Sequence, residues 1–192
     1  MKSFRSCGFS GRLGQRGVTL VELLVVLVLV ATIALVGGLY LSSFFQKQRL
    51  ASVAQEVKAF LAEAPNFVQR LQQPVFVRFV PPSGTQPPRL QIARDLTGSQ
   101  VLRQYIFTPE IVFSFTSPAA ISCNWPNVSG AYVLRLDLTG RTTDPSTNNQ
   151  VQQVENLLLV HRNMVTGSLQ PKRGFEIAVA PVWEVRMTVK FP

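Results

Sequence analysis

The sequence is poor in the residues from which metal and nucleophilic sites are usually built. It contains two cysteines and a single histidine, His161, so a multi-histidine metal site is excluded. A zinc site would need Cys123 together with acids that show no ligand spacing. A Cys123–His161 nucleophile pair stays open, although a buried thiol and an imidazole at a strand end are the simpler interpretation.

Phosphate-binding loops and intramolecular disulfides are also lacking. The stretches LTGSQ and LTGRT have single glycines and do not follow the GxxxxGK pattern. Cys7 lies in a basic N-terminal stretch and Cys123 far downstream, so removal of that stretch leaves no disulfide within the chain. We therefore expect no metal, no cofactor and no enzymatic activity.

Acidic residues are absent from the first 21 positions, whereas basic residues are not. The 17 residues before Val18 hold four basic side chains and no acid, and the rest of the chain has 15 basic and 10 acidic residues. The net charge of +9 therefore divides into +4 and +5. A basic flank before an apolar segment indicates that residues 1–17 stay in the cytoplasm and that the C-terminal part crosses the membrane.

An apolar segment follows from Val18 to Leu41, and Glu22 is its only ionisable group apart from a tyrosine hydroxyl. Its length suffices for a helix that crosses about 30 Å of hydrocarbon. The sequence ATIALVGG at 31–38 is a poor signal-peptidase site, so we expect the segment to remain attached. A charged side chain in such a helix is costly and indicates a function that involves a partner.

The string RGVTLVELLVVLVLVATIALV, at 16–36, resembles the N-terminus of type IV pilin precursors and of type II secretion pseudopilins. The resemblance implies that residues 1–17 are a leader, that a prepilin peptidase cuts after Gly17, and that Val18 becomes an N-methylated terminus. It also implies that Glu22 pairs with the terminal amine of a neighbouring subunit, in a filament built at an inner-membrane assembly platform. The alternative is a signal anchor whose Glu22 reaches the aqueous interface.

The helical pattern continues beyond the apolar segment, through an amphipathic stretch at 42–73. Apolar residues recur at spacings of three and four from Leu50 to Leu71, which predicts one helix from about Val18 to Gln72. Pro65 should kink it. Gly37 and Gly38 also weaken the helix. The resemblance implies that this pair is the place where the helix unwinds on assembly. The alternative is that the two small residues allow close packing against a neighbouring helix.

After Gln73 the pattern changes to short runs rich in β-branched and aromatic residues, separated by turn compositions. One helix followed by strands indicates an α+β protein, whose long N-terminal helix packs on an antiparallel sheet in a pilin-like domain at 74–192. The predicted strands lie at 74–80, 89–94, 101–107, 110–115, 131–138, 155–161, 175–180 and 183–191.

Two stretches of the sheet region, QQPVFVRFVPPSG and LRLDLTGRTTD, resemble the H-type pseudopilins and the FimT-like minor pilins. The first functional hypothesis is therefore a filament subunit. FimT-like proteins include DNA binders, so the second hypothesis is a DNA receptor with Tyr132, Phe175 and Trp183 as stacking groups. A membrane-anchored domain outside any filament is the third. The candidate DNA contacts are Arg135, Arg141, Arg162, Lys172, Arg173, Arg186 and Lys190.

Overall fold

The computed structural model describes residues 19–114, 117, 120–151, 153–162, 165 and 174–191. The chain divides into two compact units, Met1–Ser43 and Phe44–Pro192. Two helices, α1 at Leu20–Ala62 and α2 at Ala64–Leu71, precede ten strands. The predicted α+β class and the antiparallel pairing are confirmed.

In the part of the chain that the structure describes, no helix is both long and apolar enough to cross a membrane. The span predicted for residues 18–41 stays a prediction, as do the domain limits.

The amphipathic stretch does not form one continuous helix up to Gln72, as the sequence predicted, because Glu63 separates α1 from α2. The Glu63 N–H donates to the Phe60 carbonyl at 3.3 Å, and the Glu63 carbonyl accepts a hydrogen bond from the Asn66 N–H at 3.0 Å. Both bonds span three residues, so the turn is tighter than an α-helix. Pro65 lies in the first turn of α2, where its missing N–H is tolerated. The proline thus produces a break where a kink was predicted.

The missing Pro65 N–H leaves the Leu61 carbonyl, four residues back, without its usual helical donor. The indole Nε1–H of Trp183 takes that place and donates to the Leu61 oxygen at 3.1 Å. Trp183 is half-buried and packs against the core. A side chain 122 positions further along the chain therefore completes the helix junction.

Replacing Trp183 with phenylalanine should lower the free energy of unfolding by about 1–3 kcal/mol, because the Leu61 carbonyl loses its donor in a part-buried site. Urea denaturation of a fragment that begins at Phe44 measures the change. Trp125→Phe is the matched control, since the buried Trp125 Nε1 has no hydrogen-bond partner among the described residues. An equal decrease in the free energy of unfolding in the two variants would contradict this role for Trp183.

Each of the eight predicted strand segments contains a strand, and two short strands, at Asn127–Val128 and Thr142–Thr143, were not predicted. Ser129 and Gly130 join the first of these to the strand at Ala131–Leu136 with φ values of 51° and 81°, a two-residue hairpin turn in which both residues are left-handed. The strands are β1 Val75–Val80, β2 Arg89–Ala93, β3 Val101–Ile106, β4 Ile111–Val112, β5 Asn127–Val128, β6 Ala131–Leu136, β7 Thr142–Thr143, β8 Glu155–His161, β9 Gly174–Val179 and β10 Val185–Lys190.

The strands form two antiparallel sheets, so the prediction of one sheet is corrected. The first sheet has the order β3-β2-β1-β6-β5, with β7 paired to β6, and the second has the order β10-β9-β8-β4. The chain alternates between the sheets: β1–β3 belong to the first, β4 to the second, β5–β7 to the first and β8–β10 to the second. The edge strands β3 and β10 are the most exposed of the six-residue strands.

The core of the second unit is formed by the helical stripe together with residues of both sheets. Every apolar position of the predicted stripe between Leu50 and Leu71 is buried or half-buried, so the predicted face is confirmed. Phe79 of β1 is fully buried and packs against Phe113 and Phe107, with ring centroids 4.6 and 6.2 Å away. The helical stripe and both sheets therefore share one hydrophobic core.

Candidate functional site

Thr19 and Glu22 organise the N-terminal end of α1. The Thr19 hydroxyl oxygen accepts a hydrogen bond from the Glu22 N–H at 3.2 Å, and the Thr19 carbonyl accepts one from the Leu23 N–H at 3.1 Å. The sequence TLVE has the S/T-x-x-E spacing of a capping box, a signal that the sequence analysis missed. Thr19 is therefore the N-cap, and Glu22 lies in the first turn, where the helix dipole favours an acid.

The first four turns of α1 expose an unusual amount of apolar surface. Twelve large apolar side chains between Leu20 and Leu35 are 50–81% exposed. Burial of one such side chain contributes about 1.5–3 kcal/mol, and monomeric proteins rarely leave contiguous apolar patches of this size in water. The Glu22 side chain lies on the same exposed helix. The segment thus requires a covering environment, whether lipid or other protein.

Comparison with protein families matches residues 12–38 to the prokaryotic N-terminal methylation motif. The N-terminus thus carries a motif that is typical of type IV pilin-like prepilins. Comparisons with curated proteins and with solved structures gave no significant match. The match supports the pilin and pseudopilin kind of protein and does not select a subtype.

The two predicted processing residues, Gly17 and Val18, lie outside the described residues, and their roles stay predictions. Glu22 lies four residues beyond Val18, on the first turn of α1. Its role in assembly stays a prediction.

Gly37 and Gly38 are helical and lie inside α1. Apart from its chain neighbours and the nearby helix backbone, a Cβ added at either glycine would meet no atom of the described residues within 4 Å. Packing among the described residues therefore does not require glycine here, and both predicted explanations, unwinding and close packing against another helix, concern an assembled state.

Replacing Gly37 and Gly38 with alanine should stabilise α1 by about 1 kcal/mol per position, because alanine loses less backbone entropy than glycine in a helix. If α1 must unwind there, the double variant should be processed normally but should enter filaments poorly. The helix content of detergent-solubilised protein and the sheared filament fraction measure the two effects. Ala31→Gly is the opposite control, and wild-type assembly of the alanine variant would exclude an unwinding role.

The predicted DNA contacts are dispersed over both sheets. Arg135 lies on β6 of the first sheet, and Arg141 is exposed next to Val182. On β10 of the second sheet, Arg186 pairs with Glu184 at 2.7 Å and Lys190 pairs with Glu176 at 3.0 Å. Arg162 is exposed after β8, and Lys172 and Arg173 lie outside the described residues. Binding of nucleic acid through this set stays a prediction.

The three predicted stacking groups are engaged in the protein interior. Phe175 is 5% exposed because its position opposite Leu159 points it into the core, so its interpretation as a stacking group is wrong. Tyr132 is half-buried, with its ring centroid 6.0 Å from that of Phe79. Trp183 donates to the Leu61 carbonyl.

Cys123 and His161 are not brought together as a nucleophile and its base. Cys123 forms an isolated β-bridge with Leu157 of β8. His161 lies four residues beyond Leu157 on β8, which corresponds to about 13 Å along the strand. Burial raises the pKa of the Cys123 thiol to about 12, so the reactive thiolate is disfavoured. The pair therefore lacks the geometry and the thiolate that nucleophilic catalysis needs.

His161 instead belongs to a cluster on the helix-facing side of the second unit. Arg49 of α1 donates to both carboxylate oxygens of Glu110, at 2.9 and 2.7 Å, and the His161 Nε2 lies 3.8 Å from Glu110. Burial lowers the pKa of His161, the Glu110 charge opposes this shift, and Arg49 adds to it. The cluster holds the start of the amphipathic helix against the end of β8.

Asp95 caps the turn that follows β2. Asp95 accepts hydrogen bonds from the Thr97 and Ser99 hydroxyls and from the N–H groups of Ser99 and Gln100. These bonds, with that from Thr97 the largest cause, hold the pKa of Asp95 well below its usual range, although slight burial opposes them.

Proposed function

We propose that the protein is a structural subunit, a minor pilin or pseudopilin, of a type IV pilus-like or type II secretion filament. A prepilin peptidase removes residues 1–17, Val18 is N-methylated, and the helix holds the subunit in the bacterial inner membrane. The N-terminus then faces the cytoplasm and the second unit the periplasm. The inner-membrane assembly platform moves the subunit into the filament.

The observation that carries this proposal is the exposed apolar surface of α1 within the stretch that matches the methylation motif. Lipid covers such side chains before assembly, and the helices of other subunits cover them afterwards. Both environments exclude water, so the filament does not have to supply new hydrophobic free energy to hold the helix.

The charge of Glu22 favours transfer of the subunit from the bilayer into the filament. A lone carboxylate is costly in hydrocarbon, whereas a carboxylate that faces a terminal amine is partly compensated. Cleavage after Gly17 creates that amine at Val18. In the filament, Glu22 of one subunit pairs with the amine of the next, and this pairing favours extraction from the bilayer.

Filament fractionation tests the proposal in the native host. Sheared surface filaments, or periplasmic filaments released by osmotic shock, should contain the mature chain together with other pilin-like subunits. Cross-linking before shearing should join it to those subunits. Recovery of the processed chain only from the inner membrane would instead support the third hypothesis, an anchored domain outside any filament.

A further inference from the structure

Three arginines form a diagonal row on the outer face of the first sheet, the face that alternates with the buried Val75, Val77 and Phe79. The row consists of Arg135 on β6, Arg78 on β1 and Arg89 on β2. Arg135 lies opposite Phe76, two positions before Arg78, and Arg89 lies opposite Val80, two positions after it. Diagonal neighbours of this kind are about 7–8 Å apart.

These arginines differ in their partners from four other cations of the second unit. Arg49, Arg103, Arg186 and Lys190 each form an ion pair with a glutamate. Among the described residues, no carboxylate oxygen lies within 4.0 Å of the three arginines of the row.

Neutral side chains bind two of them instead. Arg78 Nη1 donates to Gln91 Oε1 at 3.1 Å, and Arg135 donates to Asn148 Oδ1.

The row contains two kinds of unfavourable interaction in the isolated fold. The Nε atom of each of its arginines is buried and has no hydrogen-bond partner among the described residues. Burial lowers the pKa of Arg78, the charge of Asp95 opposes this shift, and the nearby charge of Arg89 adds to it. Like charges on neighbouring strands and unpaired buried donors are both unfavourable. If these side chains served only to cover the face of the sheet, uncharged aliphatic side chains would suffice and three charges would not be needed.

We propose that the arginine row binds an acidic, extended segment of a different protein subunit. A guanidinium group presents a planar fork of donors that matches a carboxylate. In an extended strand the side chains on one face repeat about every 7 Å, close to the spacing of the row. Carboxylates at every second residue could thus meet successive arginines.

Two features favour this occupant over others. The chain from Val18 onward has a net charge of +5, so a second copy offers poor charge complementarity. The aromatic residue on this face, Phe76, is half-buried, and Tyr132 belongs to the opposite face of the sheet, so the row lacks the exposed stacking groups that single-stranded nucleic acid uses. The proposal goes beyond the filament role, because the row lies in the globular unit and its test needs no assembly.

A labelled peptide of about twelve residues, with glutamate at every second position and serine between, serves as the probe. Fluorescence anisotropy measures its binding to the full mature chain in neutral detergent at low salt. The triple variant Arg78→Gln, Arg89→Gln and Arg135→Gln should bind about tenfold more weakly or worse. The matched control removes three charges elsewhere, through Arg103→Gln, Arg186→Gln and Lys190→Gln, and should lose less than about threefold.

Three results would overturn the proposal. They are an equal loss in the control, no peptide binding by the wild type, and tighter binding of an oligodeoxynucleotide of equal charge through the same arginines, which would identify a nucleic-acid surface. The peptide should also raise the melting temperature of the wild type but not of the row variant. If the triple variant does not fold, Arg89→Gln alone should weaken peptide binding, and unchanged binding there would count against the proposal.

Discussion

Full-length precursor should accumulate in the membrane when Gly17 is replaced by leucine. The predicted cleavage joins the leader to Val18 at this glycine, and a peptidase that fits the backbone closely there has no space for a branched side chain. We expect the cut fraction to fall from nearly all of the protein to nearly none. Intact-mass analysis of membrane extracts distinguishes a precursor that still carries residues 1–17 from a chain that begins at an N-methylated Val18.

Gly14→Leu is the matched control, because it places the same side chain in the same leader, three residues before the cleavage point. That variant should be processed as the wild type is. A wild-type chain that still carries Met1, or one that begins after Leu41, would contradict both the cleavage site and the role of Glu22 that depends on it.

The second large effect is expected from Glu22→Gln. Glutamine keeps the shape of the side chain and some hydrogen bonding but removes the charge that would meet the amine of a neighbouring subunit. Loss of one partner from a buried ion pair costs about 3–5 kcal/mol, so incorporation into filaments should fall on the order of a hundredfold or more. Cleavage after Gly17 should continue, and retention in the bilayer should increase.

The amounts of mature chain in the filament and membrane fractions measure this change. Glu56→Gln, a charge loss in the same helix but in the second unit, should leave incorporation within about threefold of the wild type. Glu22→Ala should behave like Glu22→Gln. Because the capping bond at this residue comes from its backbone N–H to Thr19, both variants retain it. Normal assembly of both would mean that Glu22 is an incidental interface residue.

The strands and the helical stripe could be predicted because their signals are local. Alternation along VFVRFV places Val75, Val77 and Phe79 on one face, and the structure buries all three. The break at Glu63 was nearly predictable, since Pro65 was recognised, but the capping position that a proline takes at a helix start was not used. The N-cap at Thr19 could also have been predicted, from the S/T-x-x-E spacing of TLVE.

The sequence by itself determined the prepilin N-terminus, the amphipathic face of the helix and the positions of eight strands, because each depends on neighbouring residues and a short period. Only the tertiary structure decided the division into two sheets, since β1 pairs with β6 across more than fifty intervening residues. The same pairing placed Arg78 beside Arg135. Packing of the segment before β10 against α1 joined Trp183 to Leu61. Such contacts depend on register between distant segments, which no local pattern encodes.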